Sequence, residues 1–141
     1  MKIYFAGSIR GGRKDAKLYH QLIEHLAIKH TVFTEHIGDD SINWQGEKDR
    51  TDEYIYQRDM DWIKSAEVFI AEISTPSLGV GYELAIAEKL FIPILCLYNL
   101  EKQKISAMIS GNQNFYCKKY LDLSSAIQHI DNFLIDIEKK N

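Results

Sequence analysis

Little in this chain calls for cross-linking by sulfur or metal. Two cysteines, Cys96 and Cys117, in 141 residues are too few for a disulfide framework. Cys96 also falls inside an apolar run, so a reducing compartment, the cytoplasm, is the expected location. The five histidines are scattered and, with the cysteines, show no metal-ligand spacing. No arrangement of Ser or Cys with His and an acid supports a nucleophilic triad. Neither sign of charge dominates: 17 Lys and Arg stand interspersed with 20 Asp and Glu, for a net charge of −3. That leaves no basic groove for a nucleic-acid polymer and no polybasic membrane patch. The longest apolar run, Leu90 to Tyr98, is too short to span a bilayer and contains Pro93. Met1 and Lys2 lead directly into a strand pattern, so no signal peptide is expected. Repeats and low-complexity segments are missing too. What remains is 45% hydrophobic and 26% charged, the balance of a globular protein with length for one domain, residues 1–141.

That domain is organised around Glu67 to Leu90, EVFIAEISTPSLGVGYELAIAEKL. Val68 to Ile73 is nearly all apolar, as a strand buried on both faces should be. Ser74 to Gly81 is rich in turn-formers and small residues and reads as a loop. A helical pattern then opens near Tyr82 and carries Glu83 in its first turn. Such a loop and helix N-terminus form a natural anion site at the carboxyl ends of parallel strands. Glu83 has two readings: it complements the helix dipole, or it serves a part of the ligand other than a phosphate.

The first strand, Ile3 to Ala6, stops at Gly7-Ser8-Ile9-Arg10-Gly11-Gly12-Arg13. Glycines let backbone amides approach an anion, and arginine grips a phosphate through two parallel hydrogen bonds. The loop matches neither a Walker A motif nor G-x-G-x-x-G. A phosphate cradle and a plain strand-to-helix turn with solvated arginines are its two readings. Thr31 to Thr34 reads as a second strand ending at Glu35-His36. The polar stretch from Gly38 to Arg50 reads as a long loop, of the kind that often covers a site.

In the next helix, about Asp52 to Ala66, the ~100° step per residue places Ile55, Trp62, Ile63 and Ala66 on one face with Asp59 in their midst. Arg58, Asp61 and Lys64 fall on the other side and read as solvated. An acid within an apolar stripe must be paired, hydrogen-bonded or protonated. Asp59 is therefore either a structural carboxylate that caps or pairs, or a functional one. Ile92 to Tyr98 and Phe115 to Tyr120 supply two more strands, with a short helical or irregular piece from Ile105 to Ile109 between them. Asp122 or Ser124 caps a last helix built on Ile127, Ile130, Leu134 and Ile137. Strands alternating with helices predict an α/β, doubly wound, flavodoxin- or Rossmann-like parallel sheet of about five strands in the order 2-1-3-4-5. Its loops after strands one and three bring Ser8, Arg10, Ser77 and Glu83 to one crevice.

Two carboxylates beside a phosphate cradle suit cleavage of a glycosidic bond in a phosphorylated sugar. One stabilises or captures an oxocarbenium-like centre while the other protonates the leaving group. A nucleotide has all three features: a phosphate, a C1′–N bond, and a base that leaves more readily when protonated.

Tyr4 to Arg13, Thr34-Glu35-His36, Asp59 in its helix, Pro76 to Leu84 and Ser106-Ala107-Met108-Ile109 together resemble the 2′-deoxynucleoside 5′-phosphate N-hydrolases of the nucleoside 2-deoxyribosyltransferase superfamily. The similarity runs in order through about four-fifths of the chain and ends near Gly111. It implies Glu83 as nucleophile on C1′, Asp59 as the group that orients or protonates the base, and Tyr4 as a support for the nucleophile and sugar. It implies phosphate binding by Gly7, Ser8, Ile9, Arg10, Gly11, Gly12, Arg13, Ser77 and Gly79. His36 would lie near base or sugar. The Ser106-Ala107-Met108 segment would reach the site from the other subunit of a homodimer. No metal or organic cofactor is implied, and the partner is a small-molecule nucleotide. Three alternatives stand beside hydrolysis of deoxynucleotides: deoxyribosyl transfer between bases, cleavage of ribonucleotides, and nucleotide binding without catalysis. The preferred base is not written in these motifs.

Overall fold

The structure, a computed structural model, describes residues 1–9, 12–34, 50–101 and 104–140, without the side chains of residues 12–14. Five strands, β1 (Lys2–Gly7), β2 (Thr31–Phe33), β3 (Val68–Glu72), β4 (Ile94–Asn99) and β5 (Phe115–Tyr120), alternate with helices. The helices are α1 (Gly12–Ala27), α2 (Asp52–Ser65), α3 (Leu78–Lys89), α4 (Ala107–Ser110) and α5 (Leu123–Glu138). Every strand pair is parallel, and the order is β2-β1-β3-β4-β5. This is the doubly wound arrangement expected from the alternation of elements. Among the described residues no helix is long and apolar enough to cross a membrane.

Side chains alternate with period two, so the central strands β1, β3 and β4 bury one set on each face. Ile3, Phe5, Val68, Ile70, Leu95 and Leu97 pack with Tyr19, Leu22 and Leu26 of α1 and Ala126, Ile130 and Leu134 of α5. Tyr4, Ala6, Phe69, Ala71, Ile94 and Cys96 pack with Ile63 of α2 and Val80, Leu84 and Ala87 of α3. Both faces are covered, which is why these strands read as continuous apolar runs. α5 is opened by Asp122, whose carboxylate accepts from the Ser125 amide while the Ser125 hydroxyl accepts from the Asp122 amide. That reciprocal cap settles Asp122 over Ser124.

Three expectations need correction. First, α3 begins at Leu78, not near Tyr82. The Ser77 hydroxyl accepts from the Val80 amide at 3.3 Å, and a good cap carries the helix through Gly79 and Gly81 despite their cost of about 1 kcal/mol each. Second, β4 begins at Ile94, not Ile92. α3 ends with Phe91 N–H donating to Glu88 O and Ile92 N–H to Ala87 O, at 2.9 and 3.1 Å. This closure holds Phe91 at φ 57, the left-handed position that usually takes glycine. Third, Arg58 is not solvated. Its side chain is only 13% exposed, its Nε donates to Asp59 Oδ1 at 2.9 Å, and its guanidinium stacks 4.5 Å from the Trp62 ring. A long stem lets it lie along its helix toward the residue four positions on.

Candidate active site

At the carboxyl edge of the sheet, a cavity of about 670 Å³ opens between the ends of β1 and β3, the start of α3 and the segment before α4. Gly7, Ser8 and Ile9 form one wall, Ile73 to Gly81 another, Glu83 and Leu84 border it, and Lys104 to Ser106 with Met108 and Ile109 line the remaining side. The size fits a small organic ligand. It sits beside the junction of β1 and β3, where the order of connections reverses and such folds form a crevice.

Glu83 lies in the second turn of α3, since that helix starts at Leu78. Dipole effects fade beyond the first turn, so the dipole explanation of this acid loses its footing. Its Oε1 accepts from the Tyr4 hydroxyl at 2.9 Å. Tyr4 is 1% exposed and its ring packs 5.1 Å from Phe69, so the donor is held from below by the core. Burial pushes the Glu83 pKa up to about 7, the Tyr4 hydrogen bond opposes this, and the charge of Asp59 adds to it. A carboxylate of this kind is ionised for part of the population near neutral pH, as a group poised for chemistry requires.

Asp59 is buried on α2 and does not border the cavity. It acts on Glu83 through its charge while its own oxygen is engaged by Arg58. Phe33 stacks on Trp62 with ring centroids 6.0 Å apart and planes 8° apart, so an aromatic pair flanks the Arg58–Asp59 pair. Ser8 is buried at 3% exposure while still bordering the cavity.

Of the residues expected at a site, Gly7, Ser8, Ile9, Ser77, Gly79, Glu83, Ser106 and Met108 meet at this one cavity. Tyr4 reaches it through Glu83. Asp59 and Ala107 do not border it. Ser106 caps α4, accepting from the Met108 amide at 3.3 Å, and it borders the same cavity as Glu83 of its own chain. Gly12 and Arg13 belong to α1. Arg10, Gly11, His36 and most of the expected 38–50 loop lie outside the described residues, as does the Arg13 side chain.

Two glycines of α3 are not explained by packing. A Cβ at Gly81 would meet nothing within 4 Å, and one at Gly79 only Ser77 Oγ at 3.8 Å. Gly7 differs: a Cβ there would come within 2.9 Å of the Tyr19 ring. Sequence reasoning missed Lys104 and Ile105 in the cavity wall. It also missed Glu72 behind it, whose one signal was an acid within an otherwise apolar strand.

The profile of the family described as nucleoside 2-deoxyribosyltransferase matches residues 3–125. A 5-hydroxymethyl-dUMP N-hydrolase of Tetraodon nigroviridis is 46% identical over 116 residues, covering 81% of this chain and 82% of that protein. A protein of the same name from Danio rerio is 45% identical over 112 residues, covering 79% of this chain and 78% of its own. Among solved structures, the Clostridium botulinum CMP N-glycosidase superposes with a TM-score of 0.68 at 20% identity, covering 94% of this chain and 99% of that one. That likeness speaks to the fold alone.

Proposed function

The chain belongs to the nucleoside 2-deoxyribosyltransferase family, and from that premise we propose that it hydrolyses the N-glycosidic bond of 2′-deoxynucleoside 5′-monophosphates. The products are free base and 2-deoxyribose 5-phosphate. The observation that carries the reading is Glu83, bordering the cavity, held by the Tyr4 hydroxyl and shifted to about 7. In the proposed mechanism a Glu83 oxygen attacks C1′, the C1′–N bond breaks, and its electron pair leaves with the base. Asp59 is the proposed group that orients or protonates that base, from a position on α2 outside the described cavity lining. Water then cleaves the resulting glycosyl ester, releasing the sugar phosphate and restoring the carboxylate. Ser8, Ser77 and the amides around Gly79 take the 5′-phosphate, with Arg10 and Arg13 supplying charge. The names of the relatives make 5-hydroxymethyl-dUMP the first substrate to try.

The test is incubation with a panel of deoxyribo- and ribonucleoside 5′-monophosphates and the matching nucleosides, with free base measured by chromatography. Base from deoxynucleoside monophosphates alone is the expected result. Base from ribonucleotides would move the assignment to a ribonucleotide glycosidase. Exchange of bases without net release would move it to a transferase, and binding without any release would leave a nucleotide-binding module.

We further propose a homodimer in a reducing cytoplasm. Leu78 is 97% exposed and Met108 82%, both on the cavity's rim, and the exposed Tyr56 and Tyr82 rings meet nearby. Large apolar groups clustered around a site mouth fit burial by a second copy. Mixing Glu83→Gln with Ser106→Ala after verified subunit exchange decides how Ser106 is supplied. Regained activity means a shared site, and none means that each chain uses its own Ser106.

A further inference from the structure

Glu72 closes β3, in register between Gly7 of β1 and Leu97 of β4. It is 1% exposed and carries no described ion pair. Strand alternation turns it toward α1 and α5, the face opposite to Glu83. Its carboxylate is surrounded by donors. The Tyr19 hydroxyl reaches Oε2 at 3.1 Å, and the Tyr120 hydroxyl reaches Oε1 at 2.9 Å. The Ser74 amide and hydroxyl both donate to Oε1. Burial drives the Glu72 pKa up, and the bonds from Ser74, Tyr120 and Tyr19 oppose it.

An apolar side chain would fill this position more cheaply than a buried acid. What the acid adds is a common anchor for segments distant in sequence, two of which lead to the cavity. Ser74 borders the cavity, and its hydroxyl, while donating to Glu72, accepts from the Asn99 amide at the end of β4. Tyr19 brings α1, and its ring forms the surface on which Gly7 rests, so close that a Cβ at Gly7 would be 2.9 Å from it. Next to Ser74, the Thr75 hydroxyl donates to Asp15 in the first turn of α1 at 3.0 Å. Two of the segments that line the cavity, the Gly7–Ser8 backbone and the Ser74 loop, are thereby referenced to one carboxylate.

We propose that Glu72 is a positioning residue for the 5′-phosphate end of the site: without touching substrate, it holds Ser74 and, through Tyr19, the Gly7–Ser8 backbone in the shape that takes the phosphate. The inference rests on the N-glycosidase reading for the identity of the ligand.

The test compares wild type with Glu72→Gln, Tyr19→Phe and Tyr120→Phe. The readouts are kcat and KM for a 2′-deoxynucleoside 5′-monophosphate, affinity for that nucleotide and its unphosphorylated nucleoside by calorimetry, and melting temperature. An amide at position 72 presents two donors of its own to a shell of donors. Glu72→Gln should therefore raise KM and weaken monophosphate affinity by roughly tenfold or more, the scale of one hydrogen bond to a charged group. kcat and affinity for the bare nucleoside should stay within about threefold, a difference smaller than a single such bond. If Glu72→Gln does not fold, the tyrosine variants each remove one donor and keep the ring, and each should shift monophosphate affinity in the same direction by a smaller factor. Lower melting temperature with unchanged monophosphate affinity in all three variants overturns the proposal and leaves Glu72 a purely structural acid. Equal losses for nucleotide and nucleoside overturn it too. Wild type that binds the nucleotide but releases no base defeats the glycosidase reading instead, and the affinity comparison still judges Glu72.

Discussion

Glu72 and Glu83 are separated by one loop and two helical turns, and burial raises the pKa of both. They differ in what surrounds them. Glu72 lies beneath the α1–α5 face with both oxygens engaged by hydroxyl and amide donors. Glu83 borders the cavity on the opposite face, with the Tyr4 hydroxyl as its described donor. A carboxylate whose acceptor sites are filled is committed to the fold, and one with capacity left and access to a cavity is available to a ligand. Burial alone does not distinguish these two acids; the donors that surround each, among the described residues, do.

Substituting each member of the Glu83 group tests that contrast. Glu83→Gln is expected to give the largest effect, a loss of base release by about 10³-fold or more, since removal of a nucleophile is among the most costly changes to an enzyme. Nucleotide binding should persist. Stability should move the other way. The folded-state pKa of Glu83 lies above the ordinary carboxylate value, so its contribution is fully present below that value and is lost as pH rises through about 7. Melting curves should thus show the Gln variant gaining on wild type toward pH 8, with the gap shrinking toward pH 5. A variant that turns over normally, or that melts lower at pH 8, would place Glu83 with Glu72 among the structural acids.

Asp59→Asn comes next, with a fall of about 10² to 10⁴ in kcat per folded molecule if a general acid is lost. It also removes a charge that raises the Glu83 pKa. The acidic limb of kcat/KM, expected near 7 in wild type, should therefore move to lower pH. A stationary limb would mean that the two acids are not coupled. Tyr4→Phe should act in the opposite sense. Loss of the donor that lowers the Glu83 pKa should shift the limb to higher pH and cost roughly 10- to 100-fold at neutral pH, the worth of one hydrogen bond to a charged group.

Gly81→Ala is the mildest test. Open space awaits its Cβ, so the free protein should gain about 0.5–1 kcal/mol from the better helix former. Calorimetry should nevertheless show weaker monophosphate binding if the bare backbone there makes room for the ligand. Unchanged affinity would remove Gly81 from the site.

Much of this molecule was determined by sequence alone, and the reason is local. The apolar runs of β3 and β4 and the helical stripe of α5 depend on neighbours within a few residues, which narrow the cap of α5 to Asp122 or Ser124. Strand order then follows from connectivity and handedness. Glu83 and Asp59 stood out as acids beside small residues or within an apolar stripe. Tertiary structure decided what each acid is for. The Tyr4 hydroxyl that meets Glu83 comes from 79 residues away, and Tyr19 and Tyr120 converge on Glu72 from 53 and 48. Arg58 read as solvated because a helical wheel records only where a Cβ points, not where a long stem lies down. The start of α3 was misplaced because two glycines weaken a helical pattern, whereas the Ser77 cap and the packing of Val80 and Leu84 outweigh them. Propensity and periodicity are properties of a segment, but solvation and hydrogen-bond partners belong to a position in the assembled fold, and those set a carboxylate's charge and its use.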